Sequence, residues 1–275
     1  MKVEQISPYG YYIHELEWFS LDKTLGCGQC FRWYKDSLGN WLGVVRSKGA
    51  RMMNFEEGVI LACYPEDLDF WIDYFDLHTD YLEINRNFMI DEYSAKCVEE
   101  SNGLRVLRQD KYEALVHYII SQNNSISNIS KSIQKFCSIY GDLVHKPELN
   151  MQFYDLPTPE KVCTMGFQGL YQCSMGYRAE YLESLFKFLV KYPGWLDEID
   201  KLNTHELLKE LQTLKGVGPK VANCEALFAY NRTECFPIDV WIRRMIARHY
   251  GGISPQQRLG KYAGIFQEYL YFVGK

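Results

Sequence analysis

The stretch Leu214-Lys215-Gly216-Val217-Gly218-Pro219-Lys220 constrains this chain more than any other. Before it, Leu207, Leu208, Leu211 and Leu214 recur at helical spacing, and after it Val221, Cys224, Leu227 and Phe228 do the same. Two helices joined by a glycine hinge are expected over about residues 204–230. Gly216 and Gly218 allow positive φ and close backbone approach, and Pro219 suits the first turn of the second helix. Such a helix-hairpin-helix leaves unpaired backbone N–H groups at a helix N-terminus, which is a seat for phosphate that ignores base sequence. Gly216, Val217, Gly218 and Lys220 are its candidate contacts, with Trp241 further on.

A nucleic-acid partner has to be reconciled with a net charge of −5. Residues 1–104 hold 9 Lys+Arg against 18 Asp+Glu, residues 105–200 hold 10 against 11, and residues 201–275 hold 11 against 6. The hairpin therefore lies in the basic part, as phosphate neutralisation requires, and the acidic part is expected to face away from DNA. No segment reaches the ~18 apolar residues of a membrane span, and Met1-Lys2-Val3-Glu4-Gln5 opens no signal peptide. Nine scattered cysteines read as reduced thiols of a cytoplasmic protein. Cys27-Gly28-Gln29-Cys30 is a lone C-x-x-C, with no second pair to complete a zinc site.

Residues 1–104 read as a mixed α/β domain with an antiparallel, twisted sheet. Phe31–Tyr34 and Trp41–Arg46 flank a turn at Ser37–Asn40, and Met52–Phe55 and Val59–Cys63 flank another at Glu56–Gly58. Pro65–Trp71 looks like an acidic helix start. Residues 105–275 read as an all-α domain. Asp110 caps one helix, Ser125 or Ser127 starts the next, and others cover Arg178–Tyr192, Asp239–Tyr250 and Pro255–Phe272. The fold class expected is α+β.

Nineteen residues after Lys220 comes Asp239, in Phe236-Pro237-Ile238-Asp239-Val240-Trp241. A hairpin ending in Lys followed by Pro-x-Asp resembles the helix-hairpin-helix superfamily of DNA glycosylases. Further segments narrow the likeness: Gly28-Gln29-Cys30-Phe31-Arg32-Trp33, Ser121-Gln122-Asn123-Asn124, Met175-Gly176-Tyr177-Arg178 and Tyr262-Ala263-Gly264-Ile265-Phe266-Gln267. Their order, from about residue 19 to 272, resembles the 8-oxoguanine DNA glycosylases of bacterial type. The iron–sulfur loop of some superfamily members is absent, because no cysteine follows Cys235.

The resemblance implies excision of 8-oxoguanine from duplex DNA, with abasic-site lyase activity and no redox cofactor. Lys220 would displace the base at C1′ and form a Schiff base. A helix N-terminus, and burial, would lower its pKa from ~10.4. A phosphate contact is its plainer role. Asp239 would stabilise a ribosyl cation and help activate Lys220, while also serving as an N-cap. Gly28 would offer a carbonyl to the N7–H that guanine lacks, Gln267 would read the purine edge, and Cys224 and Tyr271 would sandwich the ring, with Phe228 beside them. Tyr271 departs from the family's usual Phe. Turn geometry and core packing are the alternatives for Gly28, Cys224 and Tyr271.

Asn123 and Tyr177 resemble the residues that fill and wedge the duplex, and Arg178 one that reads the orphaned base. Asn128 stands where a second cytosine-reading Arg is usual, and Trp241 where a His is. One missing charged fork implies weaker preference for cytosine opposite the lesion. A structural cation at the hairpin carbonyls is a further expectation, without ligand carboxylates to support it. The protein is expected to act as a monomer, associated with the nucleoid if bacterial. Two rival readings are an alkylpurine glycosylase on the same fold, which would not need Lys220 for catalysis, and a non-catalytic damage-sensing module, which would need neither Lys220, Asp239 nor Gln267.

Overall fold

A computed structural model describes residues 1–275. Six strands form an antiparallel sheet: β1 (Lys2–Ser7), β2 (Gly10–His14), β3 (Trp33–Lys35), β4 (Trp41–Val45), β5 (Lys48–Phe55) and β6 (Gly58–Ala62), in spatial order β1-β2-β6-β5-β4-β3. Helix α1 (Leu21–Gly26) sits between β2 and β3, and α2 (Leu68–Tyr74) follows β6. One sheet face buries Ile13, Met52, Val59 and Leu61 against Trp71 and Phe75. Trp33 lies across from Gly43 in register, and a Cβ at Gly43 would stand 2.1 Å from the indole. Only glycine lets that ring lie on the sheet, where it meets Trp71 and Phe75 at 5.6 and 5.4 Å.

The four expected strand segments appear with shifted ends. β1 and β2 were not foreseen. Every residue of β1 is exposed, so this edge strand has no buried alternation to read.

The remainder is mostly helical: α3 (Tyr81–Arg86), α4 (Glu92–Glu100), α5 (Lys111–Ser121), α6 (Ile126–Tyr140), α7 (Pro159–Met165), α8 (Gln168–Gln172), α9 (Arg178–Lys191), α10 (Trp195–Ile199), α11 (Thr204–Leu211), α12 (Pro219–Phe228), α13 (Val240–His249), α14 (Gln256–Leu259) and α15 (Ala263–Gly274). Asp110 caps α5 and Ser125 caps α6, each accepting an N–H three residues on. The expected helix over Pro255–Phe272 is broken at Gly260, whose φ of 62° no regular helix accommodates.

Two corrections concern organisation. The second unit is not all-α, because β7 (Leu143–Lys146) and β8 (Met151–Tyr154) form a hairpin between α6 and α7. Met151 and the neighbouring Leu149 cover Leu42 and Val44 on the sheet's other face. Nor do the apolar cores part at residue 104. Tyr81, Ile84, Phe88, Cys97 and Val98, from α3, α4 and the turn between them, belong to the helical core. Their partner is α15: Phe88 meets Phe266 at 5.2 Å, and the Tyr269 hydroxyl donates to Asn85. That partner lies far along the chain, so a local change of pattern cannot reveal it.

Two buried polar side chains lock the units together. Gln29 donates to the carbonyls of Thr24 and Arg105 and accepts from the Leu107 N–H. Arg105, 3% exposed, donates to the carbonyls of Glu17, Trp18, Asp76 and Thr79, and its guanidinium lies 4.5 Å from the Tyr81 ring. Arg105→Ala would leave those carbonyls without their donor. Equilibrium urea unfolding should show a loss of about 3 kcal/mol or more; a change under about 1 kcal/mol would mean that water replaces the guanidinium freely.

Candidate active site

The hairpin is built as two helices around one strained turn. Asn203 caps α11, and α12 starts at Gly218 with Pro219 in its first turn. Gly216 has φ +85°, and a Cβ there would stand 2.3 Å from the Tyr181 ring. Gly218 differs from expectation. Its φ is −91°, and nothing lies within 4 Å of where a Cβ would be. Its lack of a side chain leaves open space in front of α12. Val217 is a second correction: its side chain is 5% exposed and its N–H donates to Leu214, so it serves the hairpin itself. The first intrahelical bond runs from Ala222 N–H to Gly218, and no side chain caps this end. The Lys220 and Val221 N–H groups therefore lack intrahelical acceptors and are free to donate to an anion.

Directly beside this end is a cavity of about 660 Å³, a volume suited to a small organic ligand. Its wall includes Lys220, Cys224 and Phe228 from α12, Asp239 at the start of α13, Gln267 and Tyr271 from α15, and Gly28. Elements from both units meet here. Asp239 caps α13, one oxygen accepting the Ile242 N–H at 2.8 Å. Gly28 has φ +106°, and a Cβ would meet Ile126 at 2.8 Å, so the close approach of this loop to α6 requires glycine. Its carbonyl accepts no hydrogen bond from the protein. Gln29 holds the loop from behind, its carbonyl accepting from Gln109 and the Tyr118 hydroxyl. Gln267 is 4% exposed, and its Oε1 has no partner. Cys224 and Phe228 are buried, Phe228 stacking on Tyr118 at 5.6 Å. Tyr271 is half-buried in the cavity lining, and burial pushes its phenol up to about 12.

The electrostatics of Lys220 differ from the sequence-based expectation. Burial works against the ammonium, as expected, but Cys224, Asp239 and Glu268 offset it, and the pKa stands above the ordinary lysine value. Cys224 itself is raised, because burial outweighs the pull of Lys220. At neutral pH the resting pair is an ammonium beside a thiol. Glu268, on α15, also lines the cavity, and burial lifts its carboxyl to about 7. It was not singled out from the sequence, because nothing local distinguishes it from a surface glutamate. The nine cysteines are free; burial raises both Cys27 and Cys30, and no group of three or more His, Cys, Asp or Glu is arranged to hold a metal.

On the rim, Asn123 is exposed with φ +48°, and Tyr177 is 49% exposed beside Tyr181. Arg178 is placed otherwise than a freely presented reading group. It is 8% exposed, and its guanidinium donates to the carbonyls of Gln122, Asn123 and Met175. It thereby holds the Asn123 loop. Asn128 is exposed in the first turn of α6. Trp241 is 45% exposed with Arg244 over its ring at 5.2 Å, and Arg243 joins the cavity wall as an unforeseen cation.

Comparison with known proteins decides the family. Residues 12–115 match the 8-oxoguanine DNA glycosylase N-terminal domain, and residues 116–261 match the HhH-GPD superfamily base excision DNA repair protein. A Clostridium acetobutylicum 8-oxoguanine glycosylase/lyase, solved with double-stranded DNA containing cytosine opposite 8-oxoG, is 30% identical with a TM-score of 0.91. The match covers 99% of this chain and 97% of that one. This chain belongs to the 8-oxoguanine glycosylase branch of the HhH-GPD superfamily. MBOgg1, solved with a low-affinity DNA ligand, is 29% identical with a TM-score of 0.93, covering 99% of this chain and 97% of its own. The Arabidopsis thaliana N-glycosylase/DNA lyase OGG1 is 28% identical over a 249-residue alignment, which covers 84% of this chain and 66% of the plant protein's length.

Gly216→Ala tests the hairpin. Strain at positive φ and the clash with Tyr181 should cost about 2 kcal/mol or more in stability. Binding to undamaged duplex should weaken with it, measured by fluorescence anisotropy. Unchanged binding would remove this turn from the DNA interface.

Proposed function

We propose that this protein excises 8-oxoguanine from duplex DNA and then cleaves the strand at the resulting abasic site. The observation that carries the reading is the convergence of Lys220, Asp239 and Gln267 on one cavity, roomy enough for a flipped nucleotide, beside a helix-hairpin-helix turn. A base inside a duplex is out of reach of such a cavity, so the nucleotide is flipped into it. Asn123 and Tyr177 on the rim suit the roles of plug and wedge. The free Gly28 carbonyl would accept the N7–H of the oxidised base, whereas guanine would present a lone pair there. Gln267, with its unpartnered oxygen, would read the Watson–Crick edge, between Cys224 and Tyr271.

The Lys220 amine attacks C1′ as the bond to the base breaks, with the Asp239 carboxylate opposing the positive charge that develops on the sugar. Loss of a proton from the attached nitrogen and opening of the sugar give a Schiff base, which permits β-elimination of the 3′ phosphate. No redox cofactor or iron–sulfur cluster enters this scheme. In this reading the protein works as a monomer on cytoplasmic, nucleoid DNA. A hairpin cation would serve only to brace the phosphate seat. An alkylpurine glycosylase on this fold would not need Lys220, and a damage-sensing module would not need Asp239 or Gln267.

Asp239→Asn separates capping from chemistry, because Asn caps a helix about as well as Asp. Stability should stay within about 0.5 kcal/mol of wild type while single-turnover base release falls by about 10²-fold or more. A parallel loss of both would return Asp239 to a purely structural role. Asn128→Arg should raise the preference for cytosine over adenine opposite the lesion by about tenfold, as one added charged fork implies. An unchanged ratio in paired excision assays would show that residue 128 does not reach the orphaned base.

A further inference from the structure

Glu268 is the one carboxyl in the cavity to which the scheme above gives no task. It is 4% exposed, lines the same cavity as Lys220 and Asp239, and its Oε1 is buried without a hydrogen-bond partner. It belongs to α15, whose residues from Ala263 to Leu270 are all buried, and a carboxyl buried there costs more than an apolar side chain would. Such a local violation of packing logic is expected at a functional position.

The reaction has an unmet need at the same place. Attack on C1′ requires an amine, and the resting cavity holds Lys220 as an ammonium. Among the cavity's ionisable groups, Cys224, Tyr118 and Tyr271 are raised by burial and already protonated. Asp239 already has an oxygen engaged by the Ile242 N–H as the cap of α13. Glu268 is left.

We propose that Glu268 takes the proton from Lys220 and so releases the attacking amine when a flipped nucleotide, with or without its base, brings its sugar into the cavity. The step rests on the glycosylase/lyase reading. A proton passes from Nζ to a Glu268 oxygen, giving a neutral amine and a neutral carboxylic acid. The nitrogen lone pair then forms the bond to C1′ while the electrons of the C1′–N9 bond leave with the base. The attached nitrogen gains the positive charge that balances the departing base, and gives up a proton to it. Filling the cavity drives the first step, because excluding water disfavours the separated charges.

The groups facing Glu268 are Cys27 and Cys30 from the loop after α1, Tyr118 from α5, Lys220 and Cys224 from α12, Asp239 at α13, and Tyr271 and Lys275 beyond it on its own segment. The thiols and phenols are neutral near pH 7. Burial raises the carboxyl and Asp239 adds to this, while a hydrogen bond from the Cys27 thiol and the charges of Lys220 and Lys275 oppose it, leaving it at about 7. That value matches a base working at neutral pH.

The test is the rate of borohydride trapping on a duplex carrying a preformed abasic site, from pH 5.5 to 9.5. It needs the Lys220 amine but no base recognition, so it stands apart from the substrate assignment. If wild type traps the abasic site but leaves 8-oxoguanine uncut, the substrate reading fails and this proposal does not. Wild type should climb with pH to a bend near 7 and then level. Glu268→Gln should lose the bend, trap about a hundredfold more slowly at pH 7, and keep climbing to pH 9.5 as solvent deprotonates Lys220. Wild-type rate and bend retained in Glu268→Gln, or no bend in wild type, would overturn the proposal.

Thermal melting gives a readout independent of catalysis. A carboxyl raised on folding favours the fold fully below the ordinary glutamate value and loses that contribution as pH rises through about 7. Wild type should therefore lose melting temperature relative to Glu268→Gln between pH 5 and pH 8. A difference independent of pH would contradict it.

Discussion

Lys220 lies at the N-terminus of α12 with a thiol, a carboxylate and a second carboxyl around it, and this placement ties the hairpin to the chemistry. A cation at a helix N-terminus is opposed by the dipole, and burial opposes it further. The acids of α12, α13 and α15 reverse that balance and keep the ammonium charged at rest. Three helices must meet at one point for this to happen. The glycine turn at Gly216 brings α12 in, Asp239 starts α13 beside it, and the break at Gly260 sets the start of α15.

The sheet unit takes part through a short loop. Gly28 reaches the cavity because Gln29 and Arg105 fix its surroundings to the helical unit by buried hydrogen bonds. The surface between the two units is thus rigid where the base would be gripped. On the duplex side, by contrast, Asn123 stands exposed on the turn between α5 and α6, which Arg178 holds, and Tyr177 stands exposed at the start of α9. A rigid pocket behind a loop fastened at one place suits an enzyme that must admit a rotated nucleotide and then enclose it.

Much of this was legible in the linear chain, because the informative signals are local. The hairpin shows as apolar spacing interrupted by Gly216, and Asp110, Ser125 and Asp239 show as helix starts. Lys220, Asp239, Gly28, Gln267 and Tyr271, more than two hundred residues apart at the extremes, could be grouped only through resemblance to a family. What stayed hidden depends on tertiary partners. The exposed strand β1 has no pattern, and α3 and α4 join a core whose other half, α15, comes much later. Val217 looked like a phosphate contact, yet its N–H closes the turn. Arg178 looked like a presented guanidinium, yet it holds carbonyls. The Lys220 charge is held by Cys224 and Asp239 ahead of Glu268, and a glutamate beside Gln267 acquires meaning only once its burial is known.

The central claim is that Lys220 is the nucleophile, delivered to C1′ by this arrangement. It is tested most directly by trapping the protein with borohydride on a duplex containing one 8-oxoguanine opposite cytosine, digesting the adduct, and locating the modified residue by mass spectrometry. The account expects a single modified site at Lys220, with no adduct on the undamaged duplex. An adduct at another amine, or lesion release without any adduct, would contradict it and leave Lys220 as a phosphate contact.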